Sequence, residues 1–215
     1  MPASGSCGRC SPGPASGAGC AWPRRCRRRP RRAASGTPPS SSATTCAIAA
    51  ARGDILLANA YFLPGLRFRR ALFDAAARGV RVTILLQGRV EYLLQHYATQ
   101  ALYGALLERG VRIYEYHRSF LHAKVAVIDD DWATVGSSNI DPFSLLLARE
   151  ANVIVRDREF AAGLRARLGA AMRDGARELR PADWQRKPWL HRLASWLAYG
   201  LVRMMVGLAG YGGKH

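Results

Sequence analysis

From residue 47 onward, apolar and polar positions fall into short runs whose period switches between that of a strand and that of a helix. Ile55 to Tyr61 is almost continuously apolar, as a strand buried on both faces would be, and Pro64-Gly65 breaks it. Arg67 to Arg78 carries Phe68, Leu72 and Phe73 at helical spacing and closes on Gly79. Val80 to Gln87 predicts the next strand, Glu91 to Arg109 a second helix ending at Gly110, and Val111 to Tyr116 a strand with alternating pattern. Ala123 to Ile128 and Trp132 to Val135 predict strands around the turn Asp129 to Asp131. A strand over Ala151 to Val155 and a helix over Glu159 to Arg173 follow. Strands interleaved with helices predict an α/β fold, with a mixed, largely parallel sheet flanked by helices.

Residues 1 to 46 break this order. They are rich in Pro, Gly, Ser, Ala and Arg, with almost no large apolar side chain, and predict a disordered tail. All five cysteines lie there: Cys7, Cys10, Cys20, Cys26 and Cys46. Of the formal charge of +17, eight arginines in the tail account for +8 and leave +9 for residues 47 to 215. The cluster Arg24 to Arg32 is suited to nucleic acid or anionic lipid, and Cys7-Gly-Arg-Cys10 is half of a zinc spacing with no second pair to complete it. No apolar stretch of signal-peptide type follows the arginines. The tail composition resembles GC-rich DNA read in the wrong frame. That leads to the expectation that a preceding half of the protein lies upstream in another frame. The domain organisation expected is therefore a tail (1–46), one catalytic domain (47–180) and a C-terminal amphipathic helix (189–208).

The chemistry concentrates in Phe120-Leu-His-Ala-Lys-Val-Ala-Val-Ile-Asp129, which reads H-x-K-x4-D, followed by Gly136-Ser-Ser-Asn139. A histidine attacks phosphorus or protonates a leaving alkoxide near neutral pH. A lysine two residues further along a strand projects from the same face, so Lys124 sets a cation beside the His122 imidazole, where a phosphodiester oxygen would lie. Lys124 and Asn139 are candidates to hold non-bridging phosphate oxygens. Ser137 or Ser138 adds a hydroxyl donor, and Gly136 permits the turn. Asp129, seven residues from His122, falls on the opposite strand face, and an aspartate at the mouth of an Asp-Asp-Asp turn suits a local backbone acceptor. The constellation lacks the Asp/Glu/His cluster of a metal site, and no cofactor is implied.

H-x-K-x4-D followed by G-S-x-N resembles the signature of the phospholipase D superfamily. Asn59-Ala-Tyr-Phe-Leu-Pro-Gly65, Trp132-Ala-Thr-Val-Gly-Ser-Ser-Asn-Ile-Asp-Pro142 and Glu150-Ala-Asn-Val-Ile-Val155 extend the likeness to the C-terminal half of bacterial cardiolipin synthases of the B type, over roughly residues 47 to 205. The resemblance implies a catalytic set of His122, Lys124, Asp129 and Glu150, with Glu150 orienting the imidazole (a solvated glutamate at a strand end being the alternative) and phosphate held by Lys124, Ser137, Ser138 and Asn139. Asp141 and Ser144 match positions of that subfamily. Members carry two such motifs, whereas His96, His117, His191 and His215 here lack a lysine two positions on. In two-motif relatives the second-half histidine is the acid, which is the role the resemblance gives His122. In a dimer of one-motif chains either copy could serve as nucleophile.

Trp189 to Leu208 bears on the substrate. Leu190, Leu193, Leu197, Leu201, Met204 and Leu208 recur at three- and four-residue steps, with Arg192, Ser195, Tyr199 and Arg203 opposite. The uncharged stretch Leu193 to Val202 is too short to span a bilayer, and Trp189 and Trp196 suit the headgroup zone. This predicts an interfacial amphipathic helix on a membrane surface, or else a helix covering the domain's own sheet. The function expected is transfer of a phosphatidyl group from phosphatidylglycerol through a phosphohistidine, giving cardiolipin and glycerol. The setting implied is peripheral on a bacterial inner membrane, with a homodimer or a partner chain supplying the second motif and no nucleic-acid partner. The competing expectations are a dimeric nuclease of the same superfamily and an inert half-protein. Tyr61, Phe62 and Pro64 are candidates for the acyl-chain entrance, with core packing the alternative for Phe62.

Overall fold

The computed structural model describes residues 40–141 and 150–212. Along the chain run α1 (Ser40–Ala50), β1 (Asp54–Asn59), α2 (Leu66–Ala77), β2 (Arg81–Gln87), α3 (Leu93–Gln100), α4 (Tyr103–Glu108) and β3 (Arg112–Tyr116). There follow β4 (Lys124–Ile128), β5 (Trp132–Gly136), β6 (Asn152–Arg156), α5 (Arg158–Gly175), β7 (Ala176–Leu179), α6 (Pro181–Gln185) and α7 (Trp189–Gly212). The seven strands form one sheet in the order β6-β5-β4-β1-β2-β3-β7.

The connections explain the pairing. A helix returns the chain from β1 to β2 and from β2 to β3, so those neighbours are parallel. β4 pairs antiparallel with β1, β5 with β4 and β6 with β5, and β7 runs antiparallel to β3. The sheet is mixed and flanked by helices, as the sequence pattern predicts, with the balance of pairs lying toward antiparallel. Local pattern reports strands and helices, but the hand of the β3-to-β4 return is set by tertiary packing.

Strand alternation divides the core in two. Ile55 and Leu57 of β1, Val82, Ile84 and Leu86 of β2, and Ala126 and Ile128 of β4 face a cluster closed by Ile48, Phe68, Leu72, Leu106 and Val202 from the helices. Leu56, Ala58, Leu85, Val127 and Ala133 face the other side, covered by Ala161 and Leu168 of α5. Gly79 and Gly110 end α2 and α4 with positive φ, and in each case the next residue's N–H reaches back five positions, Val80 to Ala75 and Val111 to Leu106.

Three expectations need correction. Residues 40–46, assigned to the tail by composition, belong to α1, whose Ala47 and Ile48 enter the core; the carbonyls of Ile48 and of Ala51, just past the helix, accept from the Arg78 guanidinium. The helix expected over Glu91 to Arg109 is two. α3 lies along α7, while α4 turns to pack Tyr103 against Trp184 of α6, and the break at Ala101-Leu102 serves those different partners. β7 was not legible, because Ala-Arg-Glu-Leu has no strand pattern and pairs on β3 with the Arg112–Glu178 ion pair at 2.9 Å across the edge. The arginine cluster and Cys7-Gly-Arg-Cys10 lie outside the described residues, as does Ser144.

Candidate functional site

The strand directions bring the chemistry to one end of the sheet. Asn59 closes β1 and pairs with Lys124, which opens β4. Val125 pairs with Val135, which puts Gly136 at the level of Lys124 on the next strand. Gly136 pairs in turn with Asn152, at the start of β6 and two residues after Glu150. Side chains therefore converge beyond the carboxyl ends of the parallel strands, where α/β sheets commonly hold ligands.

Lys124 is 8% exposed, with Nζ donating to the His122 carbonyl at 3.3 Å. Burial pulls its pKa below the ordinary lysine value, partly offset by the carboxylates of Glu150, Glu91 and Asp141. The three carboxylates thus favour the charged ammonium against the cost of its burial. His122, two residues earlier, is exposed, and its imidazole makes no hydrogen bond among the described residues. A wet imidazole thus stands beside a dry ammonium.

The Gly-Ser-Ser-Asn turn is built by close approach. A Cβ at Gly136 would overlap Asn152 Oδ1, so only glycine fits. Ser137 N–H donates to the Ala151 carbonyl at 3.0 Å, its Oγ accepts from Ala151 N–H at 3.1 Å, and Ser138 N–H reaches Asn152 Oδ1 at 3.4 Å. These serines therefore spend hydrogen bonds on holding the turn. Asn139 is half-buried, and its Oδ1, an acceptor, lies buried with no hydrogen-bond partner among the described residues. The next residue is tied to β1: Ile140 N–H donates to Asn59 Oδ1 at 3.3 Å, and Leu63 N–H to the Ile140 carbonyl at 2.7 Å.

The structure does not bring Asp129 to this group. It sits at the far end of β4, five strand residues and roughly 16 Å from Lys124. Its carboxylate accepts the backbone N–H groups of Arg52, Gly53 and Asp54, with Gly53 at 2.8 Å. Its φ of 50° places it in the left-handed region that aspartate tolerates. Arg165 of α5 donates to its carbonyl and pairs with Asp54, fastening that helix to the same end. Lys124 and the Gly136 turn lie toward one end of the strands, with His122 two residues before Lys124 and Glu150 two before Asn152, and the motif's aspartate closes the opposite end.

Sequence reasoning left three participants unassigned. Asn59 is 2% exposed beneath Lys124, Asp141 is 2% exposed, and Glu91 accepts from Tyr61 Oη at 2.6 Å. Burial, reinforced by Glu91, raises the Tyr61 phenol well above its ordinary range. Asp141 bore a signal in the run Asn139-Ile-Asp141. Glu91 bore none, since only the fold brings it near Lys124. Phe62 is fully buried in the core, and Tyr61 and Pro64 are buried as well.

Residues 45–171 match the family described as "Cardiolipin synthase, PLD-like domain". The chain belongs to this family. Cardiolipin synthase B of Escherichia coli (strain K12) is 41% identical over 164 residues, covering 76% of this chain and 40% of that protein. Cardiolipin synthase A of Serratia proteamaculans is 31% identical over 157 residues, covering 71% of this chain and 31% of that one. The chain thus spans well under half the length of these relatives. Among solved structures, the phospholipase D family member Nuc from Salmonella typhimurium shares the fold with a TM-score of 0.56 and 22% identity, covering 65% of this chain and 90% of Nuc. A phosphatidylserine synthase of Haemophilus influenzae Rd KW20 aligns with a TM-score of 0.59 and 11% identity, over 77% of this chain and 44% of that chain.

Proposed function

We propose that this cardiolipin synthase-like half-chain transfers phosphatidyl groups from phosphatidylglycerol, with His122 and Lys124 as its reacting pair. The observation that carries the reading is the buried Lys124 ammonium beside the exposed His122 imidazole at the same end of β4. An imidazole nitrogen attacks the phosphorus in line and displaces the glycerol alkoxide, which takes a proton from a second imidazole on the opposite side. Lys124 and the Asn139 amide hold the non-bridging oxygens, and Glu150 steadies the imidazole. The glycerol hydroxyl of a second phosphatidylglycerol then attacks the phosphohistidine, giving up its proton to the second imidazole. Cardiolipin and glycerol are the products, and both histidines are restored.

In-line transfer needs two histidines. The second comes from another copy of the chain, packed on the β5–β6 edge beside the site. Two observations support that surface: β6 is an edge strand, and Val135 of β5 and Val153 and Ile154 of β6 are 38, 64 and 40% exposed.

The lipid is met by α7. Ser195, Ala198, Tyr199, Val202 and Val206 turn inward against the core, while Trp189, Leu190, Leu193, Trp196, Leu197, Leu201, Met204 and Met205 are all at least 43% exposed. No helix among the described residues is long and apolar enough to cross a membrane. An exposed Leu/Trp/Met stripe bordered by Arg192 and Arg203 suits an anionic membrane surface, and with it a peripheral position on the bacterial inner membrane.

Glycerol release from phosphatidylglycerol vesicles tests the proposal. Wild-type chains should release glycerol and form cardiolipin, and His122→Asn should not. Cleavage of DNA without glycerol release would move the assignment to a nuclease, and silence in both assays would mark an inert half.

A further inference from the structure

Four large apolar side chains point away from the core at the same end of the sheet as His122. Val90 and Tyr92 lie in the loop after β2, Leu93 opens α3, and Phe120 lies in the loop before β4, all at least 49% exposed. Both loops leave the carboxyl ends of parallel strands, and Phe120 is two residues before His122. The acyl-chain entrance expected at Tyr61, Phe62 and Pro64 is buried, so these four are the apolar groups that this end offers outward.

The two loops are clasped together. Gly88 N–H donates to the Tyr116 carbonyl at 2.9 Å, Leu121 N–H to Gln87 Oε1 at 2.7 Å, and Arg89 Nε to the His117 carbonyl at 2.8 Å. A Cβ at Gly88 would run into the His117 ring, so glycine is what lets the loops close on one another. Tyr61 fixes the other flank. Its hydroxyl donates to Glu91 at 2.6 Å, and its ring meets that of Tyr92 edge-on with centroids 5.9 Å apart. A tied scaffold thus holds apolar side chains in water, against the main driving force of folding, which is the mark of a surface that meets a partner.

Charge and continuity select the partner. The Arg89 guanidinium lies 5.8 Å from the centroid of the Phe120 ring, and the neighbouring carboxylate, Glu91, is engaged by Tyr61. Aromatic rings, aliphatic tips and a guanidinium on a strongly basic chain suit the headgroup layer of an anionic membrane. The rim also continues the exposed stripe of α7. Leu93 and Tyr97 are one turn apart on α3, and the Tyr97 ring meets that of His191, centroids 5.3 Å apart, one residue after the exposed Leu190.

We propose that Val90, Tyr92, Leu93 and Phe120 form a second lipid-contact surface, which seats the mouth of the His122 site on an anionic phospholipid bilayer. α7 holds the chain to the membrane, and the rim sets its angle, so that a phosphodiester at headgroup level meets His122 without leaving the layer. The inference rests on the lipid reading of the site, and it is tested by binding apart from turnover.

The test is sedimentation of the full chain with phosphatidylglycerol vesicles, with light scattering for mass and glycerol release on the same samples. Leu93→Glu with Phe120→Glu should weaken vesicle binding about tenfold and lower glycerol release from vesicles to match, with the mass unchanged. Glycerol release from monomeric dihexanoyl phosphatidylglycerol, which needs no membrane, should stay at the wild-type rate. Leu93→Trp with Phe120→Trp keeps the apolar rim and should bind at least as tightly as wild type, which separates a lost lipid contact from a damaged fold. Wild-type binding that depends on the rim, with no glycerol release from either lipid, upholds the surface and overturns the transferase reading. Vesicle binding unchanged by the two glutamates, or weakened by the two tryptophans, overturns the surface. A fall in mass on introducing the glutamates also overturns it, because the rim is then a seam between copies of the chain.

Discussion

At the scale of single residues, the fold divides the motif's labour. His122 and Lys124 stand at the open end of β4, one exposed and one buried, and Asp129 ties the turn after β4 to the entry of β1. The two ends should fail differently. His122→Asn should lower phosphatidyl transfer by about 10³-fold or more with the melting temperature nearly unchanged, since an exposed imidazole supports little packing. Asp129→Ala should cost about 2 kcal/mol, a fall of roughly 4–8 °C in Tm, because three N–H groups lose an ionised acceptor and alanine resists the left-handed backbone. Turnover per folded molecule should persist; thermal melts and glycerol release on the same samples check both. Lys124 adds a pH signature. Its pKa lies below the ordinary 10.5, so the alkaline limb of the rate profile that reports its loss of charge should fall below that value. The Asp-Asp-Asp turn made a backbone-acceptor role for Asp129 legible, although the N–H groups it takes lie in residues 52–54 rather than in its own turn. Glu91 was illegible, since its place beside Lys124 comes from a loop after β2 that no local pattern encodes.

At the scale of elements, the apolar runs located the strands and the glycines located the helix ends, because backbone handedness leaves few residues able to occupy a positive φ. The break between α3 and α4 escaped detection because it has no breaker residue. It exists so that two short helices can meet different neighbours, and that information sits in α6 and α7. The C-terminal helix shows the limit of amphipathic reasoning. The sequence offered a membrane-lying helix or a helix covering the core, and the small-residue face centred on Ser195 and Val202 packs inward while the leucine face stays out. Deleting the helix would therefore bare the core. The discriminating change is Trp196→Glu with Leu197→Glu, both more than half exposed. This pair should abolish sedimentation with phosphatidylglycerol vesicles while leaving the thermal melt within about 2 °C, as surface substitutions do. Vesicle binding unchanged by two added charges would remove α7 from the membrane account.

At the scale of the molecule, one motif stands where transfer needs two histidines, and the chain covers 40% of the cardiolipin synthase B it resembles. On the proposed reading a second copy would complete the site along the β6 edge strand, where Val153 and Ile154 are exposed. On that reading the copy contributes its own His122, so activity should depend on pairs of chains. The direct measurement is glycerol release at constant total protein as wild-type chains are mixed and equilibrated with His122→Asn chains. If two copies of His122 face one phosphorus, activity follows the square of the wild-type fraction. With three parts variant to one part wild type, each wild-type chain then works at about a quarter of its unmixed rate. Activity linear in the wild-type fraction, each chain keeping its full rate at every mixture, would contradict the two-histidine site.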